Sequence, residues 1–150
     1  ALMTLHANPL HGHGWALFSL VLIWAADIAA YFAGKRYGTT KLAPQISPNK
    51  TTAGAWGALL GAGVVALIGG WLLDLRGVAL IAMIALSLLA VAASIVGDLF
   101  ESLLKRHAHV KDSGTLFPGH GGLLDRIDSL LAAIPVFVAG MALLDIALRP

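Results

Sequence analysis

Residues 102–128 read S-L-L-K-R-H-A-H-V-K-D-S-G-T-L-F-P-G-H-G-G-L-L-D-R-I-D, which sets Lys105, Arg106, Lys111, Asp112, His120, Asp125, Arg126 and Asp128 between two apolar runs. Lys and Arg form charge-assisted hydrogen bonds to phosphate, and Gly114, Gly119, Gly121 and Gly122 let backbone N–H groups come close to an anion. Carboxylates in the same place repel phosphate unless a cation lies between them. Asp98, Asp125 and Asp128 together with Lys105, Arg106 and Lys111 therefore point to Mg²⁺–phosphate chemistry. Oxygen donors, and a chain with no Cys, favour a hard cation over zinc or copper. A second segment, Ser47-Pro48-Asn49-Lys50-Thr51, offers hydroxyls and a Lys in a short turn suited to phosphate. No Walker-type loop is present, which argues against an ATPase fold.

The elements that must position these groups are membrane helices. With 58% hydrophobic residues, 12% charged residues and a mean hydropathy of +0.82, the 150-residue chain has too little polar surface for a soluble domain. A net charge of +2 is too small to suggest nucleic acid, and no secretory signal pattern is visible. The opening residue, Ala1 rather than Met, leads us to expect a truncated or processed start. Four apolar runs, 15–34, 53–73, 78–97 and 129–148, reach the ~20 residues that a ~30 Å hydrocarbon layer requires. The expected fold is all-α: a polytopic membrane protein with about four transmembrane helices, a single catalytic domain over residues 1–150 and two catalytic loops. Lys35, Arg36, Lys41 and Lys50 follow the first run, and Lys105, Arg106, Lys111 and Arg126 follow the third. Only Asp74 and Arg76 follow the second, so the positive-inside bias puts the two basic loops on the cytoplasmic side.

Helical rise brings Asp98, Asp128 and Lys35 to one boundary plane. Asp98, Glu101, Ser102 and Lys105 share a helix face at i, i+3, i+4 and i+7, and Asp125 and Asp128 share one if the last helix starts early. Asp27 and Tyr31 form an i, i+4 pair roughly 10 Å below that plane. A carboxylate at such depth must face protein, water or a cation. Asp27 and Ser102 therefore join the substrate-binding candidates. Asp145 and Arg149 read as a structural pair, and the Trp residues as interfacial anchors or packing groups. His6, His11 and His13 read as a terminal segment, and His107 and His109 as loop residues without a metal. The Gly57–Gly61 spacing is a helix-packing hint.

The pattern S-x-L-K-R-x4-K-D-x-G-x2-F-P-x-H-G-G-L-x-D-R-I-D over residues 102–128 resembles the signature of the phosphatidate cytidylyltransferases, the CDP-diacylglycerol synthases. The segments D-I-A-A-Y-F-A-G-K-R-Y-G from Asp27, L-A-P-Q-I-S-P-N-K-T from Leu42 and G-D-L-F-E-S from Gly97 also look like segments of that family. The resemblance implies transfer of CMP from CTP to phosphatidic acid, with Mg²⁺, alone or with a second cation, at the phosphates, in a homodimer set in a bacterial inner membrane. It further implies Asp98 and Asp125 as metal ligands with Asp128 in support, and Lys105, Arg106, Lys111 and Arg126 as phosphate-holding residues. Ser47, Lys50 and Thr51 would belong to the CTP site, and Asp112 and His120 would order the loop or assist proton movement. The chain departs from the family pattern at Thr52-Ala53-Gly54, where Trp-Glu-Gly is common, and has the length of the family's C-terminal half. A CTP-dependent polyprenol kinase and a catalytically incomplete membrane scaffold are the alternative readings.

Overall fold

The computed structural model describes residues 1–3, 12–110, 112–114 and 122–148, without the side chains of residues 12, 126 and 145–148. Lys111, His120, His6 and His11, and the side chains of Arg126, Asp145 and Arg149, lie outside that description. The described chain consists of α1 (Gly12–Tyr37), β1 (Lys41–Ala43), β2 (Ser47–Thr51), α2 (Thr52–Leu72), α3 (Gly77–His107) and α4 (Leu124–Leu148). Among the described residues, four helices are long and apolar enough to cross a membrane, as the four apolar runs require. The chain is an integral membrane protein.

The third helix runs past its apolar segment. At ~1.5 Å per residue its 31 residues extend about 46 Å, so the turns that carry Asp98, Glu101 and Lys105 continue beyond a ~30 Å hydrocarbon layer. Beyond His107, His109 adopts φ 57°, and Val110 N–H donates to the Lys105 carbonyl at 2.9 Å. This left-handed cap ends the helix. Pro135 sits inside α4 without ending it, an interruption that neighbouring helices make tolerable in lipid. Residues 41–51 add a short antiparallel ribbon to the helices, with Lys41 opposite Thr51 and Ala43 opposite Ser47.

Small residues set the helix contacts. Hydrophobic burial gives little drive between helices in lipid, so close backbone approach and dispersion carry the packing. A Cβ added at Gly57 would meet the Ala33 methyl and, at 2.9 Å, the Ala29 carbonyl oxygen. One added at Gly61 would stand 2.7 Å from the Ala29 methyl. The Gly57–Gly61 spacing therefore seats α2 against α1 within this chain. In the antiparallel α3–α4 pair, Gly97 faces Ala132 and the Asp128 backbone, and Gly140 faces Leu86. Phe137, Leu22, Ile23, Met83 and Val91 fill the centre. Trp15 is buried there, whereas Trp24, Trp56 and Trp71 face outward.

Gly57→Ala is expected to destabilise the helix pair by about 1–3 kcal/mol, because the added methyl has no room. Gly63→Ala, whose Cβ would meet nothing within 4 Å, should be neutral. Thermal unfolding of both variants in detergent checks this; equal melting temperatures would refute the packing assignment.

Candidate functional site

The site lies at the end of the bundle where the ribbon sits. Thr51 closes the ribbon and caps α2: its Oγ1 accepts a hydrogen bond from Gly54 N–H at 3.1 Å. The hydroxyl also rests against Gly34, where an added Cβ would lie 2.9 Å away. This seat aims the preceding residue, Lys50, across the bundle. Its ammonium nitrogen is withdrawn from solvent and ion-paired with the Asp98 carboxylate of α3. At its far end the ribbon is tethered by Arg106, whose Nε donates to the Ile46 carbonyl at 3.3 Å.

The α3–α4 register brings the acids together. Asp98, Glu101 and Asp128 each present a carboxylate oxygen within 4.8 Å of the others. Glu101 is 8% exposed, and among the described residues no donor reaches its oxygens except the Lys105 ammonium, 3.3 Å away. Three carboxylates at this separation repel one another unless a cation is shared among them. The donor set, all oxygen with two unsatisfied buried atoms, fits a hard divalent cation.

Asp125 is turned elsewhere. One of its oxygens accepts from Lys105 Nζ at 2.6 Å. The other accepts from Ser113 N–H and Ser113 Oγ, each at 2.9 Å, and from Gly122 N–H at 2.7 Å. Burial alone would raise this carboxyl's pKa, but the hydrogen bonds from Lys105, Ser113 and Gly122 hold it well below the usual carboxylate range. Its charge is therefore secure throughout the neutral range. Asp125 clasps residues 113 and 122, the two described ends of the glycine-rich segment, to the first turn of α4 and to Lys105. Within that clasp Gly122 passes so near Gly114 that an added Cβ would stand 2.8 Å from its nitrogen.

Two cavities flank the acids. The larger, about 560 Å³, is lined by Lys35, Lys41, Asn49, Lys50 and Thr51 together with Asp27, Tyr31 and Asp98. That volume is ordinary for a small-molecule site. The smaller, about 280 Å³, is lined by Asp27, Asp98, Asp125, Asp128 and Ser129, with Ile23, Trp24 and Leu130 at its apolar margin. Asp27, Asp98 and Ser129 border both.

Of the residues singled out in the sequence, Asp27, Lys50, Thr51, Asp98, Lys105, Asp125 and Asp128 converge at this end of the bundle. Ser47 starts β2 and Ser102 is half-buried on α3; neither lines a cavity. Asp112 is exposed beside the clasp. Ala53, the departure from the family pattern, lies in the first turn of α2 and borders neither cavity. Glu101 and Ser113 were not among the candidates. Glu101 had a signal, its i+3 spacing from Asp98, whereas Ser113 meets Asp125 only through the loop's path.

A model of the cytidylyltransferase family matches residues 1–144. A phosphatidate cytidylyltransferase of Pseudomonas aeruginosa is 49% identical over 138 residues, covering 92% of this chain and 51% of the relative. One from Haemophilus influenzae is 47% identical over 135 residues, 87% of this chain and 46% of the relative. One from Bacillus subtilis is 43% identical over 136 residues, 89% of this chain and 49% of the relative. The chain thus spans about half the length of the curated relatives it matches. With a match that runs through the ribbon, the carboxylate group and the clasp, the chain belongs to the cytidylyltransferase family.

Proposed function

We propose that this site transfers CMP from CTP to phosphatidic acid, releasing pyrophosphate and forming CDP-diacylglycerol. The observation that carries the reading is a carboxylate group, Asp98, Glu101 and Asp128, whose member Asp98 lines a cavity that Lys35, Lys41 and Lys50 also line. Such a pairing suits a polyanion that arrives with a divalent metal. Lys35, Lys41 and Lys50 would receive the triphosphate, with Asn49 and Tyr31 beside it for the nucleoside. Asp98, Glu101 and Asp128 would hold Mg²⁺, which when bound supplies charge neutralisation to the triphosphate and the leaving pyrophosphate. Asp125 is assigned to the loop clasp and to Lys105 rather than to the metal set.

The phosphate of phosphatidic acid is already an anion, so its oxygen can attack the α-phosphorus in line without a base. The protein's task is to align the two phosphates and stabilise the charge that develops between them. Lys105, held by Glu101 and Asp125, would face that charge, and Arg106 at the end of α3, Lys111 and Arg126 at the start of α4 would support it. Asp112, His120, Ser47 and Ser102 are assigned to ordering the loops around the substrates. The basic end of the bundle would face the cytoplasm at a bacterial inner membrane, following the excess of Lys and Arg at that end. A homodimer would have to use a face other than Gly57 and Gly61, which α1 occupies.

The purified chain should convert α-labelled CTP and phosphatidic acid to labelled CDP-diacylglycerol only when Mg²⁺ is present. Transfer of a γ-label would instead favour a CTP-dependent kinase, and CTP binding without turnover a scaffold. Glu101→Gln should lower turnover at least about tenfold and raise the Mg²⁺ concentration required, as loss of a metal-site group does. An unchanged Mg²⁺ requirement would remove Glu101 from the metal set. Asp125→Asn should also lower turnover at least about tenfold, by freeing Lys105 and the loop, while leaving the Mg²⁺ requirement within about twofold. A large rise in that requirement would return Asp125 to the metal set.

A further inference from the structure

Two lysines reach the carboxylates, and they are held differently. Lys105 lies between Glu101 at 3.3 Å and Asp125 at 2.6 Å, and Asp125 is itself fixed by Ser113 and Gly122. Lys50 is ion-paired with Asp98 alone among the described residues. It stands on a two-stranded ribbon, and it lines the larger cavity along with its partner. Asp98 in turn belongs to the group of three carboxylates suited to a divalent cation. The Lys50 ammonium and that cation therefore compete for one carboxylate.

We propose that the Lys50–Asp98 ion pair stands in for the metal–phosphate pair, and that both partners are exchanged together when a metal-bound nucleotide enters. The proposal rests on the functional reading above. Its logic is that of buried charge. A cation bound alone would take Asp98 and strand the Lys50 ammonium, buried beside a second positive charge. A triphosphate bound alone would draw Lys50 away and leave Asp98 crowded by Glu101 and Asp128. When both arrive, the ammonium pairs with phosphate and the carboxylate with metal, and no charge is left over. Each ligand then strengthens the other's binding by the same factor, as linkage requires. Lys50 thus acts on the metal as a positioning residue, in addition to its contact with phosphate.

The consequence is a gain of binding on removing a side chain. Mn²⁺ serves as a paramagnetic probe for the same hard-cation site, and its binding to the detergent-purified chain can be followed by electron paramagnetic resonance with no nucleotide present. Lys50→Gln should bind Mn²⁺ at least about fivefold more tightly than the unaltered chain, the scale of an ordinary coupling between sites. Lys50→Arg should keep the weaker affinity, because it keeps the competing charge. Lys35→Gln removes a cation that lines the same cavity without pairing to Asp98, and should change the affinity by less than about twofold. Lys50→Met provides the same reading if the Gln variant does not fold.

Equal Mn²⁺ affinity in the unaltered chain and the Lys50 variants would overturn the exchange and leave the metal site standing. Equal tightening in Lys50→Gln and Lys35→Gln would overturn it too, by reducing the effect to general charge. Failure of every form to bind Mn²⁺ at millimolar concentration would overturn the exchange together with the metal reading.

Discussion

Carboxylates gathered at the end of an apolar bundle repel one another, and the site is arranged around that repulsion. Asp27, Asp98, Asp125 and Asp128 line one small cavity, and Glu101 is buried beside two of them. Partial burial weakens their hydration, so each charge gains from a nearby cation or from hydrogen-bond donors. The fold supplies these from different places. Asp125 is satisfied by Lys105 and by backbone and hydroxyl donors of the loop, and Asp98 by Lys50 from the ribbon. Glu101 and Asp128 are left with little, and their deficit marks the place where a cation fits.

Much of this was legible in the sequence because it follows from periodicity and hydropathy. Asp98, Glu101 and Lys105 fall on one face of any helix through them, and the apolar run before them fixes their level near the membrane boundary. The nearness of Asp98 and Asp128 was legible in the same way, since three separate segments carry Lys35, Asp98 and Asp128 to one plane, whereas the pairing of Lys50 with Asp98 was not. The ribbon over residues 41–51 was less so: Ser47–Thr51 reads as a short turn but forms a strand, whose pairing depends on the seat that Gly34 and Gly54 give to Thr51.

The division of labour among the acids was hidden for a different reason. Asp125 and Asp128 are three residues apart, and spacing alone assigns them to one task. The antiparallel register sets Asp128 beside Glu101 and Asp98, and Asp125 one turn further along, beside Lys105. Which acid meets which partner depends on how closely α3 approaches α4. That approach is set by Gly97 against Ala132, a contact between residues 35 apart in the chain that no local pattern shows.

The same geometry ties the chemistry to the packing of two helical hairpins. α1 and the ribbon contribute the cations of the larger cavity, Lys35, Lys41 and Lys50, whereas α3 and α4 contribute the carboxylate group and most of the clasp. Lys50 and Asp98 meet where the two hairpins face each other, so their ion pair is also a contact between the hairpins. An arriving polyanion and cation would be drawn to opposite walls of the same cleft, each to the hairpin of opposite charge. The glycines that let α1 lie close on α2, and α3 close on α4, thereby set how far apart the groups within each hairpin stand.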